Sequence, residues 1–223
     1  MKYIYTPSPI DAAAKDLAKL LKKHLVKGER VLWLLSGGSS IPIAVKASRE
    51  LKGVDLSKLY VSLTDERFGK IGHIEENWKQ LLDEGLELPG ATTYRPLIGR
   101  DIMKTNAAFR NWLKEQLANA DYRIGIFGLG ADGHTCGIKP GSTAVSSADL
   151  ATSFLGDDYE RITITFPAIK QIDEAIIQAS GNGKRGIISD LFNKDYPMKE
   201  QPAQILKVIP SSTLYTDTKK EDL

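Results

Sequence analysis

Two rhythms alternate along this chain. Short unbroken apolar runs, bounded by glycine, proline or charge, are separated by longer stretches in which apolar residues return every third or fourth position. The longer rhythm opens over residues 9–25, where Ile10, Ala14, Leu17, Leu21 and Leu25 fall on one helical face with Lys and Asp between them, and Gly28 supplies the stop. Further helices are predicted over 41–51, 74–83, 103–117 and 184–192, and Pro42 is compatible with the first turn of its helix. The short rhythm predicts strands over 31–35, 59–63, 124–127, 161–166, 175–179 and 205–208, a weaker one over 93–97 and an edge strand over 1–5. Residues 162–166 alternate as ITITF, so one face of that strand is expected to be less buried. Residues 140–158 carry neither rhythm and form the longest irregular stretch, a candidate mobile flap, while residues 219–223 are expected to fray. Regular alternation of strand and helix argues for an α/β fold with a mainly parallel sheet covered on both faces.

Composition narrows this picture. The chain has 223 residues, enough to bury a core without staples. It shows no internal repeat and no linker-like segment, so one domain spanning 1–223 is expected. A formal charge of +2 gives no case for nucleic acid or a membrane surface as partner. The apolar runs are too short to span a bilayer. A single cysteine, Cys136, rules out an intramolecular disulfide, and no signal peptide is evident, so a reducing, cytoplasmic setting is expected. With neither CxxC nor HExxH and only three scattered histidines, no metal is expected.

Candidate chemistry collects where predicted strands end. Ser36–Ser40 reads SGGSS between a buried strand and a helix. Glycines there let the backbone approach a ligand, and the helix start offers unpaired N–H groups to an anion; an ordinary serine-capped turn is the alternative. With no following Lys, it is not a Walker loop. Asp65, Glu66 and Arg67 close the next strand, either as a solvated loop or with one charge turned into a cleft. GLGADG over 128–133 spells G-x-G-x-x-G, but Gly137, Pro140 and Gly141 break the helix that a dinucleotide fold needs directly after it. Asp132 and His134, two apart on an extended segment, point the same way, and an Asp can fix the tautomer of a basic imidazole. Cys136 invites a nucleophile reading, but nothing in the sequence lowers its thiol pKa. Arg161 and Lys184 are either phosphate ligands or ordinary surface cations.

Together these segments resemble the 6-phosphogluconolactonases and the superfamily they share with the glucosamine-6-phosphate deaminases. The resemblance rests on LSGGSS at 35–40, DERF at 65–68, GLGADGHT at 128–135 with Pro140-Gly141, RITITFPAI at 161–169, GNGKR at 181–185 and QPAQIL at 201–206, in order over nearly the whole chain. It implies a three-layer α/β/α sandwich around a Rossmann-like sheet, and an enzyme hydrolysing a phosphorylated sugar lactone without a cofactor, as a monomer or small homo-oligomer. It also implies residue roles: Gly37, Gly38, Ser39 and Ser40 hold the phosphate with help from Arg161 and Lys184; His134 activates water and Asp132 orients it; Arg67 faces the lactone carbonyl or a phosphate oxygen; Asp65 contacts a sugar hydroxyl. An isomerase or deaminase of the same superfamily, with Asp65 as base, and a sugar-phosphate sensor without turnover are the alternatives. The chain departs from the pattern at DGHTCGIKPG, where lactonases usually read DGHTASLFPG. Gly137 and Lys139 replace a small polar residue and an aromatic, and Lys139 stands where the deaminases place a functional glutamate, which argues against deamination. Lys139 is expected at the pocket rim.

Overall fold

The computed structural model describes residues 1–156 and 159–223. Its strands, in chain order, are β1 (Lys2–Tyr5), β2 (Val31–Leu35), β3 (Leu59–Leu63), β4 (Asp65–Arg67), β5 (Thr92–Thr93), β6 (Tyr122–Gly128), β7 (Ala151–Leu155), β8 (Glu160–Ile164), β9 (Glu174–Gln178) and β10 (Ser211–Thr216). The helices are α1 (Pro9–Val26), α2 (Ile41–Glu50), α3 (Asn77–Asp83), α4 (Ile102–Asn119), α5 (Phe166–Ile169) and α6 (Arg185–Asn193). Seven strands form a sheet in the order β1-β10-β9-β6-β2-β3-β5, with every pairing parallel. A second sheet, β4-β8-β7, is antiparallel.

The residue pattern of β2 shows why three layers form. Val31, Trp33 and Leu35 pack into one core with Leu17 and Leu21 of α1, Ile43 of α2 and Leu81 of α3. Leu32 and Leu34 pack into another with Phe109 and Leu113 of α4 and Ile188 and Leu191 of α6. A strand buried on both faces has no polar side to show, hence its unbroken apolar run. No helix among the described residues is long and apolar enough to cross a membrane.

Strand order also positions the functional loops. From β2 the chain crosses through α2 to β3 on one side, while β6 lies against the other side of β2 and leads on toward β9. The loops leaving the carboxyl ends of β2 and β6 therefore diverge and open a crevice between them, the usual place for a ligand in an open α/β sheet.

Three expectations need correction. Residues 205–208 are not a strand: Pro202–Lys207 is a 3-10 turn, and the last strand is β10. Periodicity misled because Ala203, Ile205 and Leu206 are buried in either conformation, whereas the SSTLYT of β10 hides Ser and Thr in a packed sheet. The strand near 161–166 does not join the parallel sheet but pairs with β4 and β7, and its alternation marks no exposed face, since Ile162, Thr163, Ile164 and Thr165 are all buried. The stretch 140–158 is less irregular than expected, holding a 3-10 turn at Thr143–Ser146 and strand β7; residues 157 and 158 lie outside the described residues.

Candidate active site

A cleft of about 320 Å³ opens at the diverging ends of β2 and β6. Its floor is the SGGSS segment: β2 ends at Leu35, Gly38–Ser40 makes a 3-10 turn, and α2 follows at Ile41. The first N–H groups of a helix lack intrahelical acceptors and carry the positive end of the dipole, so this turn suits an anion. Ser40 is buried, with its hydroxyl oxygen 3.7 Å from where a Cβ on Gly128 would stand, which seats the turn against the end of β6. Lys184 also lines the cleft, its ammonium bonded to the Leu129 carbonyl.

One wall is β4. Alternation along the strand turns Asp65 and Arg67 to the cleft and Glu66 away from it. In the β4–β8 register Arg67 sits directly opposite Arg161, and both line the cleft. Like charges so placed repel. Carboxylates stand beside both: Arg67 Nη1 donates to Glu75 at 2.6 Å, and Arg161 lies 3.8 Å from Asp65. The Tyr159 ring lies 5.3 Å from the Arg67 guanidinium and 5.9 Å from that of Arg161. A further anion between the two guanidinium groups would relieve their repulsion. Burial pushes the Asp65 carboxyl up, opposed by Arg161, the Thr64 hydroxyl, His134 and Arg67.

Behind the wall, Glu66 is fully buried and accepts N–H bonds from Arg67 (2.8 Å), Asn77 (2.7 Å) and Trp78 (3.0 Å). Burial pushes its carboxyl up to about 8 despite the N–H groups of Trp78, Asn77 and Arg67. The folded chain therefore keeps a proton that an unfolded Glu releases near pH ~4.3. Stability from this group is fully present below that value and falls as pH rises toward about 8. Glu66→Gln cannot titrate, so its unfolding midpoint should fall less steeply with pH across this window than that of the wild type. Parallel curves in thermal melts would contradict the assignment.

The opposite wall carries Asp132 and His134. The chain reverses through Gly133, which sits at φ +87°, a conformation costly for any residue with a Cβ. Gly130 has no room for a side chain, since a Cβ there would lie 2.1 Å from His134 Nδ1 and 2.4 Å from Asp132 Oδ1. The QPAQIL segment supports the loop from behind: Ala203 N–H donates to Gly133 O at 2.9 Å and Gln201 packs on Gly133. His134 Nδ1 lies 2.6 Å from Asp132 Oδ1, which also accepts the His134 backbone N–H at 3.2 Å. Asp132 sits below the usual carboxylate range: burial pushes it up but is outweighed by the His134 charge and hydrogen bonds. An ionised carboxylate only accepts, so Nδ1 carries a proton, which makes Nε2 the ring nitrogen available to take one from water. The His134 side chain is 38% exposed, within reach of water.

Residues 7–215 match the family model for glucosamine-6-phosphate isomerases/6-phosphogluconolactonase. The chain belongs to this family. Among curated relatives, 6-phosphogluconolactonase of Helicobacter pylori (strain ATCC 700392 / 26695) is 26% identical over 191 residues, covering 83% of this chain and 81% of the relative. That of Chlamydia pneumoniae is 24% identical over 207 residues, covering 86% and 77%. Among solved structures, the fold is shared with 6-phosphogluconolactonase of Thermotoga maritima (TM-score 0.80, 17% identity, 96% and 97% covered). It is shared equally with a monomeric glucosamine-6-phosphate deaminase (TM-score 0.78, 15% identity, 100% and 98% covered).

Within this isomerase/lactonase family fold, nine of the residues singled out from sequence line one cleft: Gly37, Gly38, Ser39, Ser40, Asp65, Arg67, His134, Arg161 and Lys184. Asp132 stands behind His134. Lys139 is placed elsewhere. A bridge between Thr135 and Ile138 turns the chain after Cys136, and Lys139 lines a neighbouring hollow with Ser142 and Phe154. Gly137 has a local reason: a Cβ there would lie 2.9 Å from the Thr163 Cβ and 3.3 Å from that of Asp65, and the Thr163 hydroxyl accepts the Gly137 N–H at 3.0 Å. Cys136 does line the cleft, but burial and the Asp65 charge push its thiol well up, so it holds no nucleophilic thiolate. Sequence reasoning left Glu66 within a charged run and gave Asn77 and Glu75 no role. Glu66 and Asn77 carry a readable signal, an acid in a strand end followed by an Asn that opens the next helix.

Proposed function

We propose that this protein hydrolyses 6-phospho-D-glucono-1,5-lactone to 6-phosphogluconate. One observation supports the reading: a Gly-Ser turn at a helix start, an Asp-supported imidazole and two guanidinium groups all line the same crevice. The Gly37–Ser40 turn and Lys184 would take the phosphate, leaving C1 of the ring toward His134. His134 Nε2 removes a proton from water as its oxygen bonds to C1, and the carbonyl becomes an oxyanion. Arg67 and Arg161 are the cations at hand for that charge. The tetrahedral intermediate collapses as the C1–O5 bond breaks, and the imidazolium returns its proton to the departing ring oxygen. Asp132 holds the tautomer throughout. Asp65, buried in the cleft wall beside Arg161, is placed to bond a sugar hydroxyl. We assign no step to a cofactor, and Lys139, outside the cleft, is assigned no contact with substrate.

The test is lactone hydrolysis followed by acid release on freshly prepared substrate, with ammonia release from glucosamine 6-phosphate assayed beside it. Hydrolysis well above the spontaneous rate, without ammonia, is expected. Ammonia release with lactone left to decay spontaneously would overturn the reading in favour of a deaminase.

A further inference from the structure

β4 and the start of α3 are laced together in both directions. Glu66 reaches from strand to helix, accepting the Asn77 and Trp78 N–H groups, while the Asn77 carboxamide Nδ2 reaches back to donate to the Asp65 carbonyl at 3.0 Å. Asn77 is 2% exposed and lines the cleft. Its other carboxamide atom, Oδ1, is buried without a hydrogen-bond partner. That oxygen lies under the anion-binding turn: a Cβ added to Gly37 would stand 2.1 Å from Oδ1 and 2.3 Å from Cγ. Gly37 has φ −80° and ψ −168°, open to any L residue. The Asn77 side chain, not the backbone, is therefore what keeps residue 37 a glycine.

We infer that Asn77 is a positioning residue that fixes the anion-binding turn against the strand carrying Asp65 and Arg67, so that one carboxamide sets the spacing between the phosphate end and the reacting end of the substrate. A side chain serving only to fill space would do so without leaving a buried amide oxygen unpaired, which is costly. Asn77 instead bonds the β4 wall and braces the turn that forms the floor. The inference rests on the assignment of the substrate phosphate to the Gly37–Ser40 turn. Displacement of a substrate by about 1 Å is enough to cost roughly 10²-fold in rate.

The experiment is a double-mutant cycle on Gly37→Ala and Asn77→Ser, read by calorimetric binding of inorganic phosphate and by kcat and KM for the lactone. Gly37→Ala removes no hydrogen bond, so it tests the contact even if an Asn77 variant folds poorly. It is expected to weaken phosphate binding and raise KM by about tenfold or more, by displacing the turn. Asn77→Ser is expected to lower kcat as well, because the Asp65 carbonyl loses its donor. The double variant should be no worse than Asn77→Ser alone, since the smaller side chain makes room for the Cβ. Additive losses in the double variant, or a Gly37→Ala protein with wild-type phosphate binding, would overturn the inference. Lactone turnover by the wild type tests the functional reading separately, because the phosphate-binding cycle needs no turnover.

Discussion

His134→Ala should lower kcat for lactone hydrolysis by about 10²–10⁴-fold, the range ascribed to a positioned general base, with little change in KM or thermal stability. The asymmetry follows from where the imidazole sits. Its side chain is partly exposed and its hydrogen bonds run to Asp132, two residues away on the same loop. Its removal opens no core cavity and leaves Asp132, itself half exposed, free to be hydrated. The phosphate turn is built from a different loop, so substrate capture should persist. Asp132→Asn should cost less than His134→Ala but act on the same parameter, because an amide in that place no longer dictates which ring nitrogen holds the proton. Steady-state kinetics on fresh lactone decide the point. A His134→Ala enzyme that keeps its kcat and loses KM would move the residue from chemistry to binding.

Arg161→Ala should lower kcat/KM by about 10²-fold or more, as expected for a lost oxyanion or phosphate donor, and should also destabilise the fold in a pH-dependent way. Asp65 is buried, and Arg161 is the strongest influence holding its carboxyl down against burial. Without that cation the carboxyl climbs further. A raised folded value means that the folded chain binds a proton which the unfolded chain gives up near pH ~3.9, so stability falls as pH rises until the folded carboxyl itself ionises. In the variant that decline continues after the wild type has levelled off. The gap between the two melting curves should therefore widen toward alkaline pH. Arg161→Lys restores the charge without the planar fork and should recover stability before it recovers activity. A gap that stays constant with pH would show that Asp65 does not depend on Arg161.

The sequence made the frame of the site legible and left its bracing hidden, for physical reasons. Runs such as VLWLL and the helical spacing of 9–25 report burial on two faces or one, and burial is what composition records directly. SGGSS and DGHT were readable because close approach and reversed backbone demand glycine next to the chemistry. β10 was missed because SSTLYT places Ser and Thr side chains inside a packed sheet, where apolarity does not report burial. The bracing roles of Glu66 and Asn77 were missed for a related reason. Their bonds join segments that periodicity treats as separate, and a buried carboxylate beside two surface-like charges reads as part of a solvated run. Lys139 was drawn toward the cleft by its position in a motif, but a single bridge turn sends it out.

The most direct test of the account is a crystal of the protein with 6-phosphogluconate. The phosphate oxygens should lie within hydrogen-bonding distance of the turn at Gly37–Ser40, and the C1 carboxylate should lie about 3–3.5 Å from the His134 imidazole, with Arg67 or Arg161 on its oxygens. A product lying in the reverse sense, with its carboxylate on the serine turn and its phosphate beside His134, would contradict the account.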